Sequence, residues 1–265
     1  MLYFGLYVQH RRGSVAGYTT DESWAYGPKE GVEAFESITF FIRFIYAINF
    51  EHLLMIKVYK SDKAPEKLAE AGYTCDQVKQ AILNDQKDKC YLCERKVTTD
   101  YQVEHIVSRT NNKEKVNEWE NLFIACNYCN DRKKHYYDDI PLPNQLEFEN
   151  VISQTINLKT QKADFRISEI NPQLAKLKEL LDKLFNGKGI CRNLMENRFW
   201  NDFMSVYRNF LRRVAAYKID PTEENKQLVI EDLSIEQSAL GFKYAFLNRD
   251  AELWSEFQDY CKWNK

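Results

Sequence analysis

Apolar residues along the chain recur at two spacings, and most of the length carries the helical one. From Gln173 onward Leu174, Leu177, Leu180, Leu181, Leu184 and Phe185 fall on one face of a helix that Gly187 would stop. A second helix is predicted from Leu194 to Tyr217. Asn193 and Glu196 stand as its N-cap and N3 pair, and Phe199, Phe203, Tyr207, Phe210 and Val214 form its stripe. A third is expected over 223–240 and a fourth over 250–261, burying Leu253, Trp254 and Phe257, so the C-terminal half reads as a helical bundle. Residues 64–87 read as one or two helices broken at Gly72, with Leu68, Val78, Ile82 and Leu83 inward. Strict alternation appears at Val103-Glu104-His105-Ile106-Val107, which predicts a strand. Residues 140–172, with Pro141, Pro143 and Pro172 and mixed short periodicities, are expected to be an irregular connection.

Composition adds limits to this mainly α, α+β picture. Hydrophobic residues at 44% and charged residues at 29% suit a globular chain. The most apolar run, Ile38 to Phe50, contains Arg43 and is shorter than the roughly 20 residues a bilayer span needs. With no secretory pattern at the start, a cytoplasmic setting without a membrane span is expected. Residues 1–54 hold five of the nine glycines and few helix signals. They read as an extension, possible to dispense with, ahead of a natural start at Met55. The remainder divides into 55–140, the chemical centre with its helical lead-in, and 141–265, the helical C-terminal part. A net charge of -2 is low for a protein that holds a polyanion, so any affinity for nucleic acid must come from a local patch or a partner. Residues 222–265, with nine acidic and five basic side chains, are not that patch.

Seven cysteines in such a chain read as metal ligands or buried thiols, and spacing separates the two. Cys90-Tyr-Leu-Cys93 and Cys126-Asn-Tyr-Cys129 are two knuckles with 32 residues between them, the pattern of a closed, structural Zn²⁺ site. Cys75, Cys191 and Cys261 have no such spacing and read as buried thiols. Four sulfurs leave zinc no open position, so any catalysis needs another metal.

Between and just after the knuckles lie Glu104-His105, then Trp119-Glu120-Asn121-Leu122-Phe123, then Asn130-Asp131-Arg132-Lys133-Lys134. This order is similar to the HNH, or ββα-metal, nuclease motif, with Asn130 in place of the third histidine and Glu104 where aspartate is common. The resemblance implies a small zinc-stabilised ββα unit. It makes His105 the general base, Glu104 and Asn130 the ligands of a catalytic Mg²⁺ or Mn²⁺, and Asn121 the residue that fixes the loop and orients His105. The chemistry is consistent: a neutral imidazole takes a proton near neutral pH, and oxygen donors suit a hard cation. Arg109, Arg132, Lys133 and Lys134 are the expected phosphate contacts, with Lys113 and Lys115 nearby. A solvent-facing position is expected for His135.

The wider pattern, with Trp-Glu-Asn-Leu-Phe-Ile-Ala-Cys and the Cys-Asn ending, resembles the PtuB-like HNH effector nucleases of Septu and retron-associated anti-phage systems. That likeness implies a nucleic acid substrate, DNA before RNA or tRNA. It also implies an ATPase partner of the PtuA-like kind, and association with a retron reverse transcriptase. Where a Phe-x-Pro-Lys sequence is frequent in that family, this chain has Ile106-Val107-Ser108-Arg109. The competing reading is a zinc-ribbon module that binds nucleic acid or protein without catalysis.

Overall fold

In the computed structural model, which describes residues 57–262 other than Leu146 and Ile170, the chain begins with two short helices, α1 (Glu66–Ala71) and α2 (Asp76–Gln86). The expected extension over 1–54 and the start at Met55 lie outside the described residues. Gly72 separates the two helices as the sequence predicts, and Leu68, Val78, Ile82 and Leu83 are buried. Gln86, at the end of α2, is buried and clamps the chain at Ile124: its Nε2 donates to the carbonyls of Lys89 and Ile124, and its Oε1 accepts from Ile124 N.

Strands β1 (Tyr101–His105) and β2 (Leu122–Cys126) pair antiparallel, with His105 opposite Leu122 and Tyr101 opposite Cys126. β2 is buried along its whole length and runs directly into α3 (Asn127–Lys133), which completes a ββα unit. Two 3₁₀ turns, Glu114–Asn117 and Trp119–Asn121, lie in the connection between the strands, and a third, Lys134–Tyr137, follows α3.

The expected irregular connection over 140–172 is in fact ordered. After a single helical turn, α4 (Phe148–Val151), the chain forms a hairpin of β3 (Ile152–Asn157) and β4 (Lys162–Ile167). Ile152, Gln154 and Ile156 face inward together with Ala163 and Phe165. Asn157 shapes the turn, its Oδ1 accepting from the amides of Lys159 and Thr160.

The helices α5 (Pro172–Asn186) and α6 (Leu194–Ile219) follow with the predicted buried stripes, and α6 begins with a full capping box between Asn193 and Glu196. The expected third helix over 223–240 stops early, as α7 (Glu223–Asp232), and a helix the periodicity did not predict, α8 (Leu240–Leu247), starts after Ala239, which adopts a left-handed φ of 59°. α9 (Ala251–Phe257) closes the bundle, shorter than expected and continued by a 3₁₀ turn. The result is a mainly helical α+β architecture with two small antiparallel sheets. Among the described residues no helix is long and apolar enough to cross a membrane.

One core runs through both halves. Tyr128 of α3 stacks on Phe199 of α6 with ring centroids 4.2 Å apart, and its hydroxyl donates to Leu184 O at 2.8 Å. Glu94, just past the first knuckle, accepts from the Gln154 amide at 3.1 Å and from Gly241 N at 2.9 Å.

Candidate active site

The two knuckles meet because β2 delivers Cys126 beside the loop that carries Cys90 and Cys93. Tyr91 N donates to Ile124 O at 3.1 Å, and Glu94 N turns back to Cys90 O at 2.9 Å. The four sulfurs lie within 4.8 Å of one another, all buried. Cys93 Sγ and Cys126 Sγ are 3.9 Å apart. A tetrahedral zinc with Zn–S bonds of about 2.3 Å would set its sulfurs about 3.8 Å apart, so the donor set fits the ion. Hydrogen bonds from Cys129, Cys90 and Cys93 hold the Cys126 thiol well below its ordinary range, while burial lifts Cys129 well above it. Burial works to lower Arg95, yet Cys126, Cys93 and Asp100 carry it upward, so this guanidinium offsets the negative charge of the cluster. Cys75 is half-buried and Cys191 exposed, so of the three remaining cysteines only Cys261 is a buried thiol.

A cleft of about 300 Å³ opens at the end of β1 and brings together Glu104, His105, Arg109, Asn130, Lys134 and His135. Neighbours on a strand point to opposite faces, yet Glu104 and His105 both border this cleft, because β1 ends there. Glu104 reaches α3, where Lys133 Nζ pairs with its Oε1 at 2.8 Å. His105 turns the other way, with its ring edge-on to Tyr73 at 4.7 Å and its Nε2 3.0 Å from Val116 O. A carbonyl oxygen can only accept, so Nε2 carries the hydrogen and Nδ1 keeps its lone pair. Burial lowers the His105 pKa below the ordinary histidine value, with Arg109 and Lys133 adding to it and the Val116 hydrogen bond opposing. These influences together favour the neutral imidazole.

Asn121 is buried and does not border the cleft. Its Oδ1 accepts from Val107 N at 2.7 Å, and its Nδ2 donates to the carbonyls of Val107 and Lys115, each at 3.0 Å. These bonds tie the loop after His105 to the turn that supplies Val116 O. At about 1 kcal/mol each they hold in place the carbonyl that accepts from the histidine.

Asn130 sits on the first turns of α3, and its Nδ2 donates to Gln102 Oε1. That leaves Oδ1 as the atom available to a cation. With the Glu104 carboxylate it makes an all-oxygen pair, which suits Mg²⁺ or Mn²⁺ better than zinc. Gln102, which orients this amide, carries no signal in the sequence beyond its place on β1.

The expected phosphate contacts separate. Arg109 and Lys134 border the cleft, with Arg109 donating to Tyr73 Oη at 2.6 Å. Arg132 lies outside it, its guanidinium 3.6 Å from the centre of the Tyr128 ring. Lys133 departs from the expectation altogether. It is 0% exposed and donates to the carbonyls of His105 and Ile106 at 3.1 and 2.8 Å, which puts it out of reach of any phosphate. His135, expected to face solvent, is exposed and borders the cleft as well.

Asp138 carries no signal in the sequence that marks it for the site. Its Oδ1 lies 3.6 Å from Lys133 Nζ, and its Oδ2 accepts from Ser108 N, Ser108 Oγ and Asn111 Nδ2. Lys133 is thus flanked by Glu104 and Asp138, and the three tie the end of β1 to α3.

No curated protein and no solved structure matches this chain. The ββα unit itself does have a match: residues 90–136, from the first zinc-site cysteine to the turn beyond α3, match the family model described as HNH endonuclease, and the chain carries an HNH endonuclease domain there.

Proposed function

We propose that the chain is a metal-dependent endonuclease that hydrolyses phosphodiester bonds in nucleic acid, with His105 as its general base. The observation that carries this reading is the pinned imidazole: Nε2 on Val116 O at 3.0 Å, in a cleft shared with Glu104 and Asn130. A neutral histidine held in one tautomer presents Nδ1 to take a proton from water as the water attacks phosphorus. Glu104 and Asn130 would hold a divalent cation, Mg²⁺ or Mn²⁺, which when bound stabilises charge on the phosphate and the leaving oxygen. Asn121 positions His105 through the Lys115–Val116 turn, and the Cys90, Cys93, Cys126 and Cys129 site would take a structural Zn²⁺. Arg109 and Lys134 stand at the cleft where phosphates on either side of the scissile one would pass.

The motif order through Cys-Asn supports a finer assignment, to a PtuB-like effector of an anti-phage system that cuts DNA and works with an ATPase. A partner of that kind accounts for a nuclease of net charge -2 finding and keeping its substrate.

The test uses purified full-length protein, with and without its ATPase, incubated with plasmid and total RNA in Mg²⁺ or Mn²⁺. We expect wild type to cut and His105→Ala to lose cleavage while keeping its zinc content and folded circular dichroism. Equal cleavage by both would remove His105 from the role. If wild type cuts neither pool in any combination, the non-catalytic zinc module is the better reading.

A further inference from the structure

The 3₁₀ turn Lys134–Tyr137 has two sides. Lys134 and His135 border the cleft, while Tyr136 and Tyr137 border a second hollow of about 620 Å³ that α5 lines along its length. Lys176, Lys183 and Lys188 stand along this hollow. Lys176 and Lys183 are seven residues apart on one helix, two turns or about 10 Å, so their charges are strung along a line and not gathered at a point.

Two carboxylates share the hollow, and each is already engaged. Glu179 lies 3.6 Å from Lys176 and accepts from Tyr137 Oη at 3.0 Å, while Asp182 pairs with Lys178 at 2.5 Å. Among the described residues Arg132, Lys134, Lys183 and Lys188 form no ion pair. They are nonetheless close. Lys183 Nζ donates to Arg132 O at 2.6 Å, at the foot of α3. Its pKa is lowered first by burial and then by Lys188, with Arg132 and Lys134 acting in the same direction against Glu179. Three lysines thus face two carboxylates, one of them held by Lys178 from outside the hollow, and an anion laid along the excess of positive charge lowers the cost of keeping these cations together. Tyr136, 61% exposed, adds an open aromatic face beside His135, with ring centroids 4.1 Å apart.

We propose that this hollow is a second nucleic-acid contact, in which Lys176, Lys183 and Lys188 carry the phosphodiester backbone onward from the cleft and Tyr136 stacks on a base. It rests on the nuclease reading, since continuity with the cleft through Lys134 is what favours a nucleic acid strand over another polyanion. A line of cations beside an exposed ring matches the repeat of phosphates and bases in a strand, whereas a lone phosphate would need only one convergent cluster.

The experiment combines Lys176→Gln with Lys188→Gln, two side chains outside the cleft, in the full-length zinc-loaded protein. Binding of fluorescein-labelled DNA and RNA, single- and double-stranded, is followed by anisotropy in a His105→Ala background from 50 to 200 mM salt. We expect affinity to fall about tenfold at low salt and the salt slope to drop by about two. The same charge change at the far end of α6 and on α7, Lys218→Gln with Lys226→Gln, should leave both unchanged. Turnover of bis(p-nitrophenyl) phosphate, which needs only the metal site, is measured with His105 intact and should not change in the double variant. An unaltered slope, an equal loss in the distant control, or no nucleic acid binding by the parent protein would each overturn the proposal. So would tighter binding of a poly-glutamate peptide that the same two substitutions abolish, which would give the hollow to a protein partner. Failure of wild type to turn over the small phosphodiester counts against the nuclease reading alone, because the binding arm is read without catalysis.

Discussion

A lysine sealed from solvent must satisfy every proton inside the protein, and Lys133 does so with two carbonyls at the end of β1 and the carboxylate of Glu104, while the Asp138 carboxylate stands 3.6 Å away as a second counter-charge. Removing one member of such a set leaves the rest uncompensated, so Lys133→Met should cost roughly 3–5 kcal/mol, against well under 1 kcal/mol for an exposed lysine. The loss should depend on pH. Burial already raises the Glu104 pKa, and Lys133 is the largest influence pulling it back down. Without the lysine it rises further. A carboxyl whose folded-state pKa lies above its unfolded value destabilises the fold as pH climbs from the unfolded value through the folded one, and the penalty fades on acidification. Urea midpoints at pH 8 and pH 6 should therefore show the variant recovering more than wild type at the lower pH. An equal deficit at both would mean that Glu104 is not the group left bare.

At the level of elements, the junction between α5 and α6 is built around Gly187, whose φ is +77°. A Cβ there would sit 2.6 Å from Glu196 Oε2, the carboxylate that closes the α6 capping box on Asn193 N. Gly187→Ala strains the backbone and pushes Glu196 off its cap together, so it should cost about 1–3 kcal/mol in chemical denaturation. An unchanged midpoint would show that the loop absorbs the methyl. This junction was legible in the sequence, since Gly187, Asn193 and Glu196 are local signals. The β3–β4 hairpin was not. Its inward positions include Gln154, whose amide is accepted by Glu94 sixty residues earlier, and β4 offers Ala163 and Phe165 fully and Ile167 in part to the core. The end of α7 at Asp232, short of the expected 240, was hidden for a similar reason: apolar residues continue through Leu233 and Ile235, and the turn is held by contacts from elsewhere, among them Lys89 Nζ on Ile235 O at 2.5 Å. Lys133 could have been placed. It follows Cys126 and Cys129 at helical spacing, on the face of α3 that turns inward, but the run Arg132-Lys133-Lys134 reads as a solvated cluster when periodicity is ignored.

On the scale of the whole molecule, the zinc unit and the helices are knitted by groups that a boundary at residue 140 would strand. Glu94 would lose Gln154 and Gly241 N, Tyr128 would lose Phe199 and Leu184 O, and Lys96 N would lose Ser238 Oγ at 3.0 Å. Zinc binding to such a cluster contributes on the order of 10 kcal/mol, more than a typical domain's net stability, so whichever elements pack against the knuckles draw on it. If the halves share one core, zinc and helix should be lost together. Heating the full chain while following zinc release with a chromophoric chelator and helix content by circular dichroism should give coincident transitions. The helical signal of α5 and α6 should vanish when zinc is stripped at lower temperature. Zinc leaving well before the helices melt would show instead that 55–140 and 141–265 are separate folding units, and that the contacts through Glu94 and Tyr128 join two bodies that are stable apart.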